Sequence, residues 1–205
     1  MRKSVIIALP FLLQACVSVL PEAAPPSARY EVSDVADAAP ARAPVDWSLG
    51  VEAPDATLAF NSAKIALSRA PARIEYYAGG EWVDRAPRLF AVALTRSFEN
   101  TGLIRGVGSR TALPVSTYVL QTDIRNLSVE HRNGTLTAKS AVYARLTDGR
   151  AVIYASKLFT SHTPVSADNA GAAANALNEG LQQIQRQIVD WTFEEAARES
   201  EARGG

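Results

Sequence analysis

Two dipeptides, Asn133-Gly134 and Asp148-Gly149, separate three runs of alternating residues between Val115 and Thr160, and they restrict the fold of the 205-residue chain more than any other feature. Asn-Gly and Asp-Gly supply the positive φ angles of two-residue hairpin turns, so the runs are expected to form three long antiparallel strands. Pairing about the first turn sets Val129 opposite Ala138. Pairing about the second sets Ala138 opposite Phe159, Ala144 opposite Ile153 and Leu146 opposite Ala151, on one face with Leu136 and Val142. Alanines there let helices approach closely, which makes this the helix-covered face. In the first strand Tyr118, Leu120 and Ile124 keep one alternation phase, while Leu127 and Val129 keep the other. A bulge between Ile124 and Leu127 would bring both sets to one side. The opposite face carries Tyr143, Val152, Tyr154 and Leu158 and is less polar than a solvated sheet requires. Either strand propensity alone explains these residues, or the face is a contact surface for protein or lipid.

Helical periodicity brackets this meander. Pro87 suits a first helical turn, with Asp84 as its cap, and Leu89, Phe90, Ala93, Leu94 and Phe98 recur at helical spacing until Gly102 stops the run. Before it, Lys64–Ser68 and Arg73–Tyr77 read as strands joined by a turn, and Tyr30–Val32 and Trp47–Val51 as short strands around an Ala/Pro-rich surface loop, 36–44. After Ser166-Ala167-Asp168, a second helix is expected to reach about Arg198. Its residues Ala170, Ala174, Leu177, Leu181, Ile184, Ile188 and Trp191 form a heptad seam, opposite a polar face holding Gln182, Gln183, Gln185, Arg186 and Gln187. The seam fits a core helix across the sheet or a coiled-coil partner helix. The charged residues from Glu194 onward are expected to fray. The fold class is thus α+β: a mixed, largely antiparallel sheet with a three-strand meander, packed on one face by two helices, the second long.

The start of the chain addresses it to a membrane. Arg2 and Lys3 precede the apolar run Val5–Leu13, too short to span a bilayer, and Leu13-Gln14-Ala15-Cys16 has the form of a bacterial lipoprotein box around the only cysteine. Residues 1–15 then form a signal peptide, and Cys16 carries the lipid. Residues 16–28 make a Pro-rich tether of at most about 35 Å, 29–198 a single periplasmic domain, and 199–205 a disordered tail. Acyl chains of this kind anchor a soluble domain permanently. Val17, where aspartate would retain the protein in the inner membrane, favours the periplasmic face of the outer membrane.

Catalytic chemistry is hard to find. The chain has 21 basic and 21 acidic residues and no Lys/Arg run beyond its start, which argues against nucleic acid. His131 and His162 are the only histidines; no spacing offers a metal site and no motif a cofactor. Gly79-Gly80 and Gly106-Val107-Gly108 lack the remaining residues of a phosphate loop. Ser161-His162 with Asp168 could be drawn as a hydrolase set, yet the glycines of a nucleophile elbow are absent. A non-enzymatic role follows.

The stretch Arg73-Ile74-Glu75-Tyr76-Tyr77-Ala78-Gly79-Gly80-Glu81-Trp82-Val83-Asp84-Arg85-Ala86-Pro87, followed by Leu94 and Phe98-Glu99-Asn100-Thr101-Gly102, resembles the core signature of the ABC-type transport auxiliary lipoproteins. Tyr118-Val119-Leu120-Gln121-Thr122-Asp123-Ile124 is similar to the family's central strand, and the final helix through Ile188 and Trp191 fits its end. The Ala/Pro loop before Trp47 and the glycine at Gly80 depart from the pattern. The resemblance implies an outer-membrane auxiliary component of a lipid transport system, partnered by a periplasmic protein with a mammalian-cell-entry domain. Tyr76, Tyr77, Trp82 and Asp84 become candidate docking residues, alongside Tyr143 and Tyr154 on the meander; each has a structural alternative in packing or capping. A module that itself carries phospholipid, a periplasmic hydrolase and self-association into a homo-oligomer remain open alternatives.

Overall fold

The structure is a computed structural model that describes residues 27–37, 42–150 and 152–204. Cys16, the signal segment, the tether up to residue 26, part of the Ala/Pro loop and Ala151 lie outside the described residues. In chain order the elements are β1 (Ala28–Tyr30), β2 (Val45–Val51), β3 (Asp55–Ala56), β4 (Lys64–Ser68), β5 (Glu75–Trp82), α1 (Ala86–Glu99), β6 (Ile104–Ser109), β7 (Tyr118–Arg132), β8 (Thr135–Thr147), β9 (Ile153–Pro164) and α2 (Ala170–Gly204). All strands join one mixed sheet, covered by two helices, so the α+β class stands.

β7 organises the sheet. Along one edge it takes the parallel strands β2, β3 and β4 in succession; along the other it pairs antiparallel with β8. β5 and β1 extend the sheet beyond β4, β6 extends it beyond β2, and β9 closes the far flank beyond β8. Val129 faces Ala138, and the ladder is irregular between Ile124 and Asn126. That bulge leaves Arg125 exposed and returns Leu127 and Val129 to the side of Tyr118, Leu120 and Ile124, where all are at most 3% exposed.

The second hairpin departs from expectation. Ala138 faces Thr163 and Ala144 faces Lys157, a slip of four residues from the two-residue turn, and Val142 is the residue opposite Phe159. A wider loop closes the hairpin: the Asp148 N–H donates to the Val152 carbonyl at 3.2 Å, while Asp148 Oδ1 accepts the N–H groups of Arg150 at 2.8 Å and Val152 at 3.2 Å. Because the slip is even, the side chains from Ala155 to Pro164 keep their faces and Phe159 is still buried, whereas Ile153, expected opposite Ala144 on the covered face, pairs with Thr147 and is 57% exposed. A further irregularity opposite Thr147 makes Tyr154 the extra residue and turns it to the helix side, away from Tyr143.

Both helix starts differ from the sequence reading. Arg85, not Asp84, occupies the α1 cap and makes no side-chain capping bond; Asp84 instead accepts the Arg85 N–H at 2.7 Å and pairs with Arg88 at 3.0 Å. For α2, Asn169 Oδ1 accepts the Ala172 N–H at 2.9 Å, which makes Asn169 the cap. Gly102, at φ +63°, follows α1 as expected. α2 does not fray at Glu194 or give way to a tail at 199, but runs to Gly204. Glu199 holds these last turns by accepting the Tyr118 hydroxyl at 2.6 Å, and Arg203 pairs with Glu199 and donates to Tyr154.

The predicted seam of α2 is buried throughout and packs on the sheet as a core helix. Gln185, expected on the polar face, is also buried. Its Oε1 accepts from the Ser97 hydroxyl of α1 at 2.7 Å, and its amide donates to the Ser33 carbonyl at 3.1 Å. Gly180 sets the depth of the helix, since a Cβ there would lie 2.5 Å from Ser161 Oγ. Aromatic contacts fill the other end: Trp191 meets Phe159 edge-on at 5.6 Å, and Trp47 contacts both Tyr118 and Phe193.

Candidate functional site

Strand alternation divides the candidate residues between the two faces of the sheet. Tyr76 lies opposite Ala66 on the face away from the helices, 38% exposed, with the Lys64 ammonium 5.2 Å from its ring centre. Tyr143 shares that face. Its ring sits beneath the guanidinium groups of Arg125 at 4.2 Å and Arg145 at 4.9 Å, its hydroxyl donates to Ser156 Oγ at 2.8 Å, and Leu158, 46% exposed, is its neighbour on β9. Cations over an aromatic ring hold it rigid while leaving its edge open. Three strand spacings and four residues separate Tyr76 from Tyr143, about 20 Å, so a partner would have to be broad to touch both.

The other candidates face inward or sideways. Trp82 is a core residue at 2% exposure, with no surface left for a partner. Asp84 is occupied by the start of α1, and Tyr154 packs edge-on against Tyr118. Tyr77 points to the helix side and joins a cluster the sequence did not reveal. Arg69 donates to Asp168 at 2.9 Å and to His131 Nδ1 at 3.1 Å, and pairs with Glu75 at 3.5 Å. The hydrogen bond from Arg69 holds the Asp168 carboxyl below its ordinary value, against the opposing effect of burial. The Tyr77 hydroxyl is buried beside this pair without completing a hydrogen bond of standard geometry. Burial first, and the neighbouring Asp168 second, push it up to about 12.

This arrangement does not assemble the hydrolase set. Ser161 and His162 are consecutive in β9 and therefore point to opposite faces, Ser161 beneath Gly180 and His162 on the open side, while Asp168 is held by Arg69. Among the described residues no group of three or more His, Cys, Asp and Glu side chains could hold a metal ion, and no helix is long and apolar enough to cross a membrane.

A groove of about 1020 Å³ runs between α1, β6 and the loop that follows β6. Arg85, Arg88, Arg96 and Arg110 line it together with Val92 and Val107. The sequence carried a partial signal for it in the Arg88, Val92 and Arg96 spacing of one helical face.

Comparison with known proteins places this geometry. A family model described as the ABC-type transport auxiliary lipoprotein component matches residues 30–189. The crystal structure of XCC0632 from Xanthomonas campestris, of the DUF330 family, is similar at 25% identity and a TM-score of 0.74, covering 85% of this chain and 97% of that one. CT253 from Chlamydia trachomatis shares the fold at 9% identity and a TM-score of 0.50, over 72% of this chain and 96% of its own. An uncharacterized protein of Bradyrhizobium diazoefficiens, bll6063, is 25% identical over 111 residues, 54% of this chain; the match spans only 30% of that relative's length.

Proposed function

This chain belongs to the ABC-type transport auxiliary lipoprotein family, and from that premise we propose that it is a non-enzymatic docking component of a lipid transport system, anchored to the outer membrane by acylated Cys16. Its partner in this reading is a periplasmic protein with a mammalian-cell-entry domain, which receives energy from an ABC ATPase elsewhere in the complex. The observation that carries the reading is the uncovered sheet face, where Tyr143 is held under Arg125 and Arg145 next to exposed Leu158. Pre-positioned aromatic and arginine side chains are the residues that anchor protein interfaces. Affinity capture of the lipoprotein from detergent-solubilised membranes is expected to recover the mammalian-cell-entry protein, and a Tyr143→Ala, Arg125→Ala variant to recover much less. Capture that never recovers it overturns the docking role.

The groove beside α1 favours a second reading, in which the domain itself carries a phospholipid. Arg85, Arg96, Val92 and Val107 in its lining suit a phosphate headgroup and an acyl chain, while Asp84 and Glu99 also line it and Asp84 pairs with Arg88. Native mass spectrometry of the purified protein tests it: bound phospholipid supports a carrier, and lipid-free protein removes this reading.

A further inference from the structure

β1 pairs parallel to β5 with Ala28 opposite Gly80, so the chain enters the domain from the end at which β5 begins. Five residues separate Gly80 from Glu75, about 17 Å along a strand. The start of α2 lies at the same end: Asp168 pairs with Arg69 at 2.9 Å, and a Cβ on Gly80 would lie 2.7 Å from that of Ala170. The β4–β5 turn forms the tip of this end, and it is both exposed and rigid. Pro71, Ala72, Arg73 and Ile74 are four consecutive exposed residues, Ile74 at 41%. The Ala70 carbonyl accepts the Ser68 hydroxyl at 3.1 Å and the Arg73 N–H at 3.3 Å, and Arg132 donates to the Ser68 carbonyl at 2.8 Å. Ala72 holds φ +57°, a left-handed conformation that glycine adopts at less cost, so the tip keeps a methyl group where backbone preference alone favours none. The carboxylates beside the turn are paired: Glu75 with Arg73 at 2.8 Å and with Arg69 at 3.5 Å, and Asp168 with Arg69. Such a tip enters a layer of anionic headgroups without setting an unpaired carboxylate against phosphate.

We propose that the β4–β5 turn rests in the headgroup layer of the membrane that holds the acyl chains, with Ala72 and Ile74 at its apolar edge and Arg73 at the level of the phosphates. The proposal rests on the acylation of Cys16. Residues 16–28 reach at most about 35 Å. The 35 residues of α2 run about 52 Å from the turn end to the other. The domain therefore cannot stand on its far end, although Val115, Val152 and Ile153 are exposed there, close to Tyr118 and its partner Glu199. The tether selects the near end, and with it a lipid surface over a protein partner for Ile74. The strands then rise from the bilayer, and the open face with Tyr143 is turned sideways, clear of the lipid and free for the transport partner.

The experiment uses the acylated lipoprotein in vesicles of phosphatidylethanolamine and phosphatidylglycerol. Because Cys16 is the only native cysteine and carries the lipid, Ile74→Cys and Ile153→Cys each offer a single free thiol for an environment-sensitive fluorophore. Nitroxide-labelled lipid is expected to quench the probe at 74 about twofold and to leave the probe at 153, at the far end, unchanged. With the probe moved to Ala72→Cys, adding Ile74→Asp should abolish the quenching, while circular dichroism shows that the fold is kept. A probe at 74 that stays unquenched, one shielded only when the transport partner is added, equal quenching at both ends, or quenching that survives Ile74→Asp overturns the proposal. A parent protein that fails to float with the vesicles overturns the anchor and this proposal with it. Capture of the transport partner is read independently of all these outcomes.

Discussion

On the helix-covered face Leu120, Ile124, Val142 and Phe159 are at most 2% exposed, whereas on the opposite face of the same strands Tyr143 is part-exposed and Leu158 nearly half so. The covered face gains its stability from burial, at about 25 cal/mol for each Å² of apolar area removed from water. On the open face the contacts are cation–π pairs and hydrogen bonds at the solvent boundary, each contributing about 0.5–1 kcal/mol. The contrast separates folding from recognition. In the proposed docking role, side chains on the open face set partner affinity while the core holds the fold.

The largest test of that separation compares two aromatic residues. Trp191→Ala removes a ring packed against Phe159 and is expected to cost about 3–5 kcal/mol in urea denaturation. Tyr143→Ala is expected to cost about 1 kcal/mol or less and to affect partner capture instead. A comparable loss from both would erase the distinction between the faces.

A smaller effect should sharpen the picture of the covered face itself. Around Gly180 this face is lined by Ser140, Ser161 and Thr163, whose buried hydroxyls find no hydrogen-bond partner among the described residues. Gly180→Ala brings a Cβ to within 2.5 Å of Ser161 Oγ and is expected to destabilise by about 1–3 kcal/mol, despite alanine's better helix propensity. Adding Ser161→Ala removes the crowded oxygen and should restore most of the loss. Additive effects would show that Gly180 does not set the helix depth.

The smallest effects are those of pH at the Arg69 cluster on the helix side. Asp168 has a lowered folded-state pKa, so its contribution is present above its ordinary value of 3.8 and is lost as pH falls through the lowered one. Tyr77 is raised from 10 to about 12, so its contribution is intact below pH 10 and is lost as pH rises towards 12. Tyr77→Phe should flatten the alkaline loss, and Asp168→Asn the acid one, in thermal unfolding followed across pH. Unchanged profiles would remove the cluster from the stability of the helix-covered side.

Much of the covered face was legible in the sequence because its signals are local. Asn133-Gly134 fixes the β7–β8 register, and the phase switch between Ile124 and Leu127 can be accommodated only by a bulge. The β8–β9 register was hidden because Gly149 takes its expected positive φ inside a loop wider than two residues, which backbone and side-chain bonds of Asp148 to Val152 close together. Gln185 reads as a surface residue until Ser97 and Ser33 supply buried partners. The candidate site was less legible. Tyr76 and Tyr77 are adjacent in sequence and so belong to opposite faces once β5 forms, while Trp82 has the apolar character of a docking residue and of a core residue alike. The pairing of Arg69 with Asp168 depends on tertiary folding alone, as the two lie 99 residues apart.

The central claim is that this domain works by position, and Cys16 tests it most directly. A Cys16→Ala variant, exported by a signal peptide cleaved without lipidation, is expected to fold, to fractionate with the soluble periplasm and to fail to restore lipid transport in cells lacking the parent protein. Full restoration by that soluble form would contradict the account.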